Sequence, residues 1–398
     1  MPIEQSALSG YPTESASHSV ALEPVFNLLY SLVLLCKEER MPGLGGWVQK
    51  TRESMSLEQL QRNRLVMDGL FYAFTTEASL PSFGAYLDHL QSLPPQSFQD
   101  RMLSMYLRAS PMACSMQECD PPVGKQKEEI LRSADSYLKF LGQHFDASHV
   151  DPDLEAQAYR YAIDPPAMKA VIIDHLREMW ERHLAPEWAR VRPMLSKAVD
   201  AFQRTAIAQM SRSEAVRYVI GREIPDTHWI GQLDDAERVI LAPSAHIGPY
   251  IGKFITGRNL VVLFGARLPE GAASEVPDLS RTEILTRLDA LSDDHRLQIL
   301  RMAADAGEVR ATDVMAGLDI SQSAASRSLT QLTATGYLVE SRRDGNKVYT
   351  LNQERVRDTL KAISRYLGMP VARARSGPSG GGTGNGEPGA SGRRGTAS

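Results

Sequence analysis

Between positions 321 and 347 stand side chains suited to an anionic, hydrogen-bonding surface. Ser321, Gln322, Ser323, Ser326 and Arg327 fall within one short segment. A glutamine amide can bond adenine through two atoms in the DNA major groove, and a guanidinium can do the same to guanine. Gln322 and Arg327 are therefore the candidate base readers. Ser321, Ser323 and Ser326 suit phosphate oxygens or a base edge. Arg342, Arg343 and Lys347 add positive charge, which carries affinity and salt dependence rather than sequence choice. Singly, each would be an ordinary solvated surface group. As a constellation they point to double-stranded DNA.

Other chemistry is harder to assemble. Cys114 and Cys119 form a C-x4-C pair before Pro121-Pro122, and His144 and His149 could complete a zinc site. Two unrelated thiols are the simpler reading; a reversible disulfide is a further alternative. No cysteine follows Cys119, and His295 is the sole histidine after His246, so metal ligands are missing from the C-terminal part. No phosphate loop, nucleophile elbow or zinc-hydrolase motif is present. No metal, no cofactor and no enzymatic activity are expected. His246 reads as a loop histidine, although a place on a pocket wall is open to it. Trp180, Trp188 and Trp229 read as core or interdomain residues.

The elements that must position the DNA-facing groups can be read locally. Thr312 can cap a short helix carrying Val314, Met315 and Leu318 on its apolar side. Asp319 sits where the chain must turn, and aspartate tolerates a left-handed conformation better than most residues. Ser321 is a second N-cap. Its helix, at about 321–335, turns Ala324, Ala325, Leu329 and Leu332 inward and leaves Gln322, Ser323, Ser326 and Arg327 outward. Gly336 ends it. Residues 337–341 alternate apolar and polar, Asp344-Gly345 signals a tight turn, and 347–351 return. This is a helix-turn-helix followed by a basic wing at about 341–348.

The segment resembles the ArsR family of winged-helix repressors over about residues 280–368. The likeness includes Leu291-Ser292-Asp293-Asp294-His295-Arg296-Leu297-Gln298-Ile299-Leu300, taken as part of an upstream helix. It also includes Ile320-Ser321-Gln322-Ser323 and the Arg-Arg-Asp-Gly wing. The chain departs where the family often has Ala (here Met315), Gly (Asp319) and a β-branched residue (Ala325). The resemblance implies a homodimer, with helices at Arg281 to Leu291 and Gln353 to Leu367 pairing across a twofold axis. Such a dimer binds a pseudo-palindrome with recognition helices roughly 34 Å apart. It also implies repression, and the absent ligands leave a non-metal effector or a partner as the signal.

The remainder bounds this reading. The chain has 398 residues, 23% of them charged, with three cysteines and a net charge of -4. That excludes a wholly basic nucleic-acid binder and fits a reducing cytoplasm. Residues 271–398 hold 17 basic against 15 acidic groups, so the C-terminal part is the more anion-friendly. The apolar stretch Val20 to Cys36 is short and interrupted by Glu23, Pro24 and Asn27. It reads as a buried helix, with an interfacial helix as the alternative, and no membrane partner is expected. The expected fold class is mainly α. Residues 1–19 are expected to be disordered, and 20–270 to form a large helical sensor or dimerisation domain. A small β element, two strands in a hairpin or small sheet, is expected near 238–264. A linker at 269–279, the winged domain at 280–368 and a Gly/Ser-rich disordered tail at 371–398 complete the chain. Within 20–270, Met179-Trp180-Glu181-Arg182, Ala242-Pro243-Ser244 and Gly248-Pro249-Tyr250 resemble, more loosely, the helical N-terminal regions of some bacterial regulators with an ArsR-like end. Two other functions stay open: an enzyme with an appended DNA-binding module, and a winged-helix scaffold that binds protein.

Overall fold

The computed structural model describes residues 17–38, 41–76, 79–109, 125–145, 150–222, 227–269, 277–343 and 346–369. Strand β1 (His18–Val20) comes first. Helices follow: α1 (Pro24–Lys37), α2 (Gly46–Ser54), α3 (Leu57–Arg64), α4 (Phe83–Ser92), α5 (Pro95–Ala109), α6 (Lys125–Ile130), α7 (Ala134–His144), α8 (Pro152–Ala162), α9 (Pro165–Met179), α10 (Ala185–Gln203), α11 (Arg212–Ile220) and α12 (Thr227–Asp235). Then come β2 (Arg238–Ser244), β3 (Ile251–Thr256) and β4 (Asn259–Gly265). The C-terminal part holds α13 (Pro277–Leu291), α14 (Asp294–Ala306), α15 (Ala311–Leu318), α16 (Gln322–Ala334), β5 (Leu338–Arg343), β6 (Asn346–Leu351) and α17 (Gln353–Tyr366). The chain is mainly helical with two small sheets.

Proline marks the start of several helices. Pro95 and Pro165 each open a helix, where the missing N–H has no intrahelical partner to lose. Between α9 and α10 the backbone widens into a π turn at Trp180–Leu184. Pro186, in the first turn of α10, cannot donate the next i→i−4 bond, which gives the ladder reason to slip there. The apolar stretch after Val20 becomes α1, with residues Val25 to Leu35 almost wholly buried. Among the described residues no helix is long and apolar enough to cross a membrane.

The β element differs from a hairpin of two strands. Its order is β1-β2-β4-β3, with β1 parallel to β2, β2 parallel to β4 and β3 antiparallel to β4. Residues 18 and 19, expected to be disordered, belong to β1. The sheet is buried on both faces. Leu260, Val262 and Phe264 point into one apolar cluster, while Val261 and Leu263 point into another. Alternate residues of a strand face opposite ways, so a two-sided core demands a continuous apolar run, which β4 supplies.

A separate cluster forms from the C-terminal part alone. It joins Ala290, Ile299, Leu300, Val314, Ala325, Leu329, Leu332, Tyr337 and Tyr349. The quoted 291–300 stretch is not one helix: α13 stops at Leu291 and Asp293 caps α14, accepting from the Arg296 N–H at 3.0 Å. The two parts of the chain touch. Helix α10 packs against α13, and Ala334 joins the main N-terminal core.

Candidate nucleic-acid interface

Helix α15 begins two residues earlier than a Thr312 cap would allow. Val309 bridges Tyr349 of β6, which keeps the backbone extended up to Arg310. The Asp313 carboxylate then reaches back to the Arg310 N–H at 2.8 Å, so the helix start is built on Arg310 and Asp313 rather than on the expected Thr312 hydroxyl. Helix α15 ends at Asp319, whose φ of 51° makes it the one non-glycine residue with positive φ among those described. Ser321 caps α16 by accepting from the Ala324 N–H at 3.3 Å, and its hydroxyl also meets Ser323 Oγ at 3.0 Å. Its side chain is thus engaged in building the helix start.

Every residue singled out for DNA contact is exposed: Ser321, Gln322, Ser323, Ser326, Arg327, Arg342, Arg343 and Lys347. Ala325, Leu329 and Leu332 are buried, and Ala324 is half-buried. The N-terminal end of α16 therefore presents its polar side outward while its apolar side is held in the core. Its other end is anchored. Gln331 donates to Asp289 Oδ2 at 2.9 Å, and Thr335 donates back to the Gln331 carbonyl at 2.8 Å. At 1.5 Å per residue, about 18 Å separates Gln322 from Ala334, so the outward end stands clear of the junction with the N-terminal part.

Strands β5 and β6 form an antiparallel hairpin in which Arg342 faces Lys347 and Arg343 faces Asn346. The turn at Asp344-Gly345 lies outside the described residues. The hairpin brings the three cations together at one end. Two have partners that the sequence did not reveal: Arg343 pairs with Glu308 at 2.9 Å and Lys347 with Glu340 at 2.8 Å. Glu340 stands seven positions from Lys347, a distance that only the hairpin closes. Exposed pairs of this kind contribute about 0–1 kcal/mol, so a phosphate can displace the carboxylate at small cost.

Of the candidate metal or thiol groups, Cys114, Cys119 and His149 lie outside the described residues. His144 Nδ1 donates at 2.8 Å to the Phe140 carbonyl of its own helix. Among the described residues no group of three metal-ligating side chains gathers. His246 is more than a loop histidine. It is buried, stacked on Trp47, and held between Ser31 Oγ at 2.7 Å and Glu187 Oε1 at 2.8 Å. The order Ser–His–Glu resembles a hydrolytic relay, but the Ser31 hydroxyl donates to the Asn27 carbonyl at 2.7 Å and is buried within α1. The three side chains form a buried polar clamp between α1, α10 and the loop after β2. Trp180 and Trp188 pack against the main core as expected.

No family model, curated protein or solved structure matches the chain.

Proposed function

We propose that the chain is a DNA-binding transcriptional regulator whose C-terminal part is a winged helix-turn-helix of the ArsR type. One observation carries this: α15, the left-handed Asp319 and α16 set an exposed polar helix end beside a hairpin tip bearing Arg342, Arg343 and Lys347. Helix α16 enters the major groove, with Gln322 and Arg327 reading bases and Ser323 and Ser326 touching phosphates or base edges. The hairpin is the wing, and its cations bind the backbone. Repression follows from the family resemblance. A homodimer is supported by apolar side chains left exposed on α13, α14 and α17. The work of such a protein places it with the chromosome in the cytoplasm, and residues 20–270 supply a sensor for a small non-metal effector or a partner.

The ion pairs of Arg343 and Lys347 favour one competing reading, a scaffold whose hairpin binds protein. Binding of the full-length protein to duplexes from its own promoter region, at two salt concentrations, separates the two. A regulator making six to ten phosphate contacts loses roughly 10³–10⁵ in affinity between 50 and 200 mM salt and prefers one duplex. Weak binding with no preference among duplexes would favour the scaffold.

A further inference from the structure

Where the sheet meets the C-terminal helices there is a small, partly open cleft. Its charged walls come from distant parts of the chain. Arg222 follows α11, Arg267 follows β4, Arg287 lies on α13 and Arg355 on α17. Arg267 is 6% exposed and Arg287 7% exposed. Nε and Nη1 of Arg267 and Nε of Arg287 are buried and, among the described residues, have no hydrogen-bond partner. The Arg267 guanidinium occupies the space above Gly221, with Nη1 1.1 Å from where a β-carbon there would stand. Only a residue without a side chain admits it, and Gly221 also has a φ of 76°.

The charges do not balance. Among the lining residues Glu283 supplies the one carboxylate, and it bonds Nη2 of Arg287. Arg355 spends Nε on the Thr335 carbonyl at 2.8 Å. Burial, with Arg287 and Arg267 nearby, lowers Arg355 to about 10. Buried cations without counter-charge are costly, and a planar guanidinium fork fits a carboxylate or phosphate through two parallel bonds. Beyond the arginines the lining turns apolar, with Ile220, Pro249, Tyr250 and Phe264.

We propose that this cleft binds the oxyanion group of a small organic acid or phosphate ester, gripped by Arg267, Arg287 and Arg355. A ligand there ties α13 and α17 to the sheet. For its consequence the proposal rests on the DNA-binding reading: the anion shifts DNA affinity by favouring one placement of the C-terminal part over another.

The test titrates full-length protein, in chloride at constant ionic strength, with inorganic phosphate and separately with succinate. Thermal midpoint and calorimetric affinity are read. At about a hundredfold excess over the dissociation constant, at least one anion raises the midpoint by roughly 3 °C. A response to phosphate alone marks the ligand as a phosphate ester, to succinate alone as a carboxylic acid. Arg267→Met abolishes the response yet melts no lower than wild type in chloride, having lost an unpaired buried charge. Arg355→Gln weakens binding at least tenfold if the first variant does not fold. Arg301→Gln, on the exposed side of α14, responds as wild type. No response of wild type to either anion, or an undiminished response in both cleft variants, overturns the site. An anion response with unchanged promoter affinity overturns the coupling alone. No selective DNA binding in either state overturns the regulator reading and leaves the anion site standing.

Discussion

Arg327 and Arg343 carry the same charge, yet their removal is expected to read out differently. Arg327 projects from the exposed side of α16 near its start, so Arg327→Ala costs about 1–3 kcal/mol on a selected duplex and relaxes the preference at one base. Arg343, already paired to Glu308, can only trade one anion for another. Arg343→Ala weakens binding to all duplexes alike and lowers the salt slope by about 1 per subunit. Competition assays with mismatched duplexes decide; equal and negligible effects of both substitutions would remove these roles. A second residue speaks to stability. Burial, reinforced by Asp151 and Asp68, raises Glu155 of α8 to about 7, against the opposing Tyr137 hydroxyl. The folded chain then holds this proton more tightly than the unfolded one. The stability involved is full below about pH 4.5 and is lost as pH rises through about 7, on the order of 2–3 kcal/mol. Glu155→Gln keeps its neutral form at every pH. Its stability relative to wild type, from urea unfolding, should be greater at pH 8 than at pH 5; a difference independent of pH would exclude this role. The exposed polar residues at the start of α16 and the cations at the hairpin tip are legible because they are local, fixed by one helix start and one turn. Arg267, Arg287 and Arg355 were not, because 88 positions of chain and three separate elements bring them together.

Among elements, the turn between α15 and α16 is where sequence and geometry agree most closely. Asp319 adopts φ 51° and ψ 45°, a region costly to a side chain branched at Cβ. Asp319→Val should lower stability by about 1–2 kcal/mol, whereas Asp319→Gly should hold or raise it. Urea midpoints of the two variants test this, and equal loss in both would show that the carboxylate itself matters. Ser321→Ala removes the cap of α16 and is expected to cost about 1 kcal/mol. These devices span a few residues and are visible in sequence. The sheet is not. Strand β1 has three residues in a Ser-rich segment and pairs with residues 239–241, more than 200 positions away. Strand β3 does alternate, with Phe254 and Thr256 buried and Lys253 and Ile255 partly exposed, but Gly248, Gly252 and Gly257 make its surroundings look like a loop. Strands β2 and β4 pair side by side, but their parallel direction is hidden from the sequence, because β3 lies between them in the chain and beyond them in the sheet.

At the scale of the whole molecule, the exposed apolar side chains are unevenly placed. Leu285 and Leu288 on α13, Leu297 on α14, and Leu360, Tyr366, Leu367 and Met369 on or just after α17 make up most of the large ones exposed among the described residues. Helix α13 contacts both α14 and α17, so these side chains sit on neighbouring elements. Single exposed leucines are unremarkable, but this concentration suits the pairing surface of the proposed homodimer. Leu360 and Leu367 are each 61% exposed, and replacing them disturbs no core packing. Leu360→Lys with Leu367→Lys should therefore convert a dimer to a monomer in light scattering without lowering the melting of the monomer itself. On a promoter duplex the monomer loses the second, linked contact, and affinity falls by about 10²–10⁴ while base preference within one half-site persists. An unchanged mass would mean that the pairing surface lies elsewhere. An unchanged affinity despite a halved mass would mean that one copy suffices on DNA, and the two half-sites roughly 34 Å apart would have no place in its recognition.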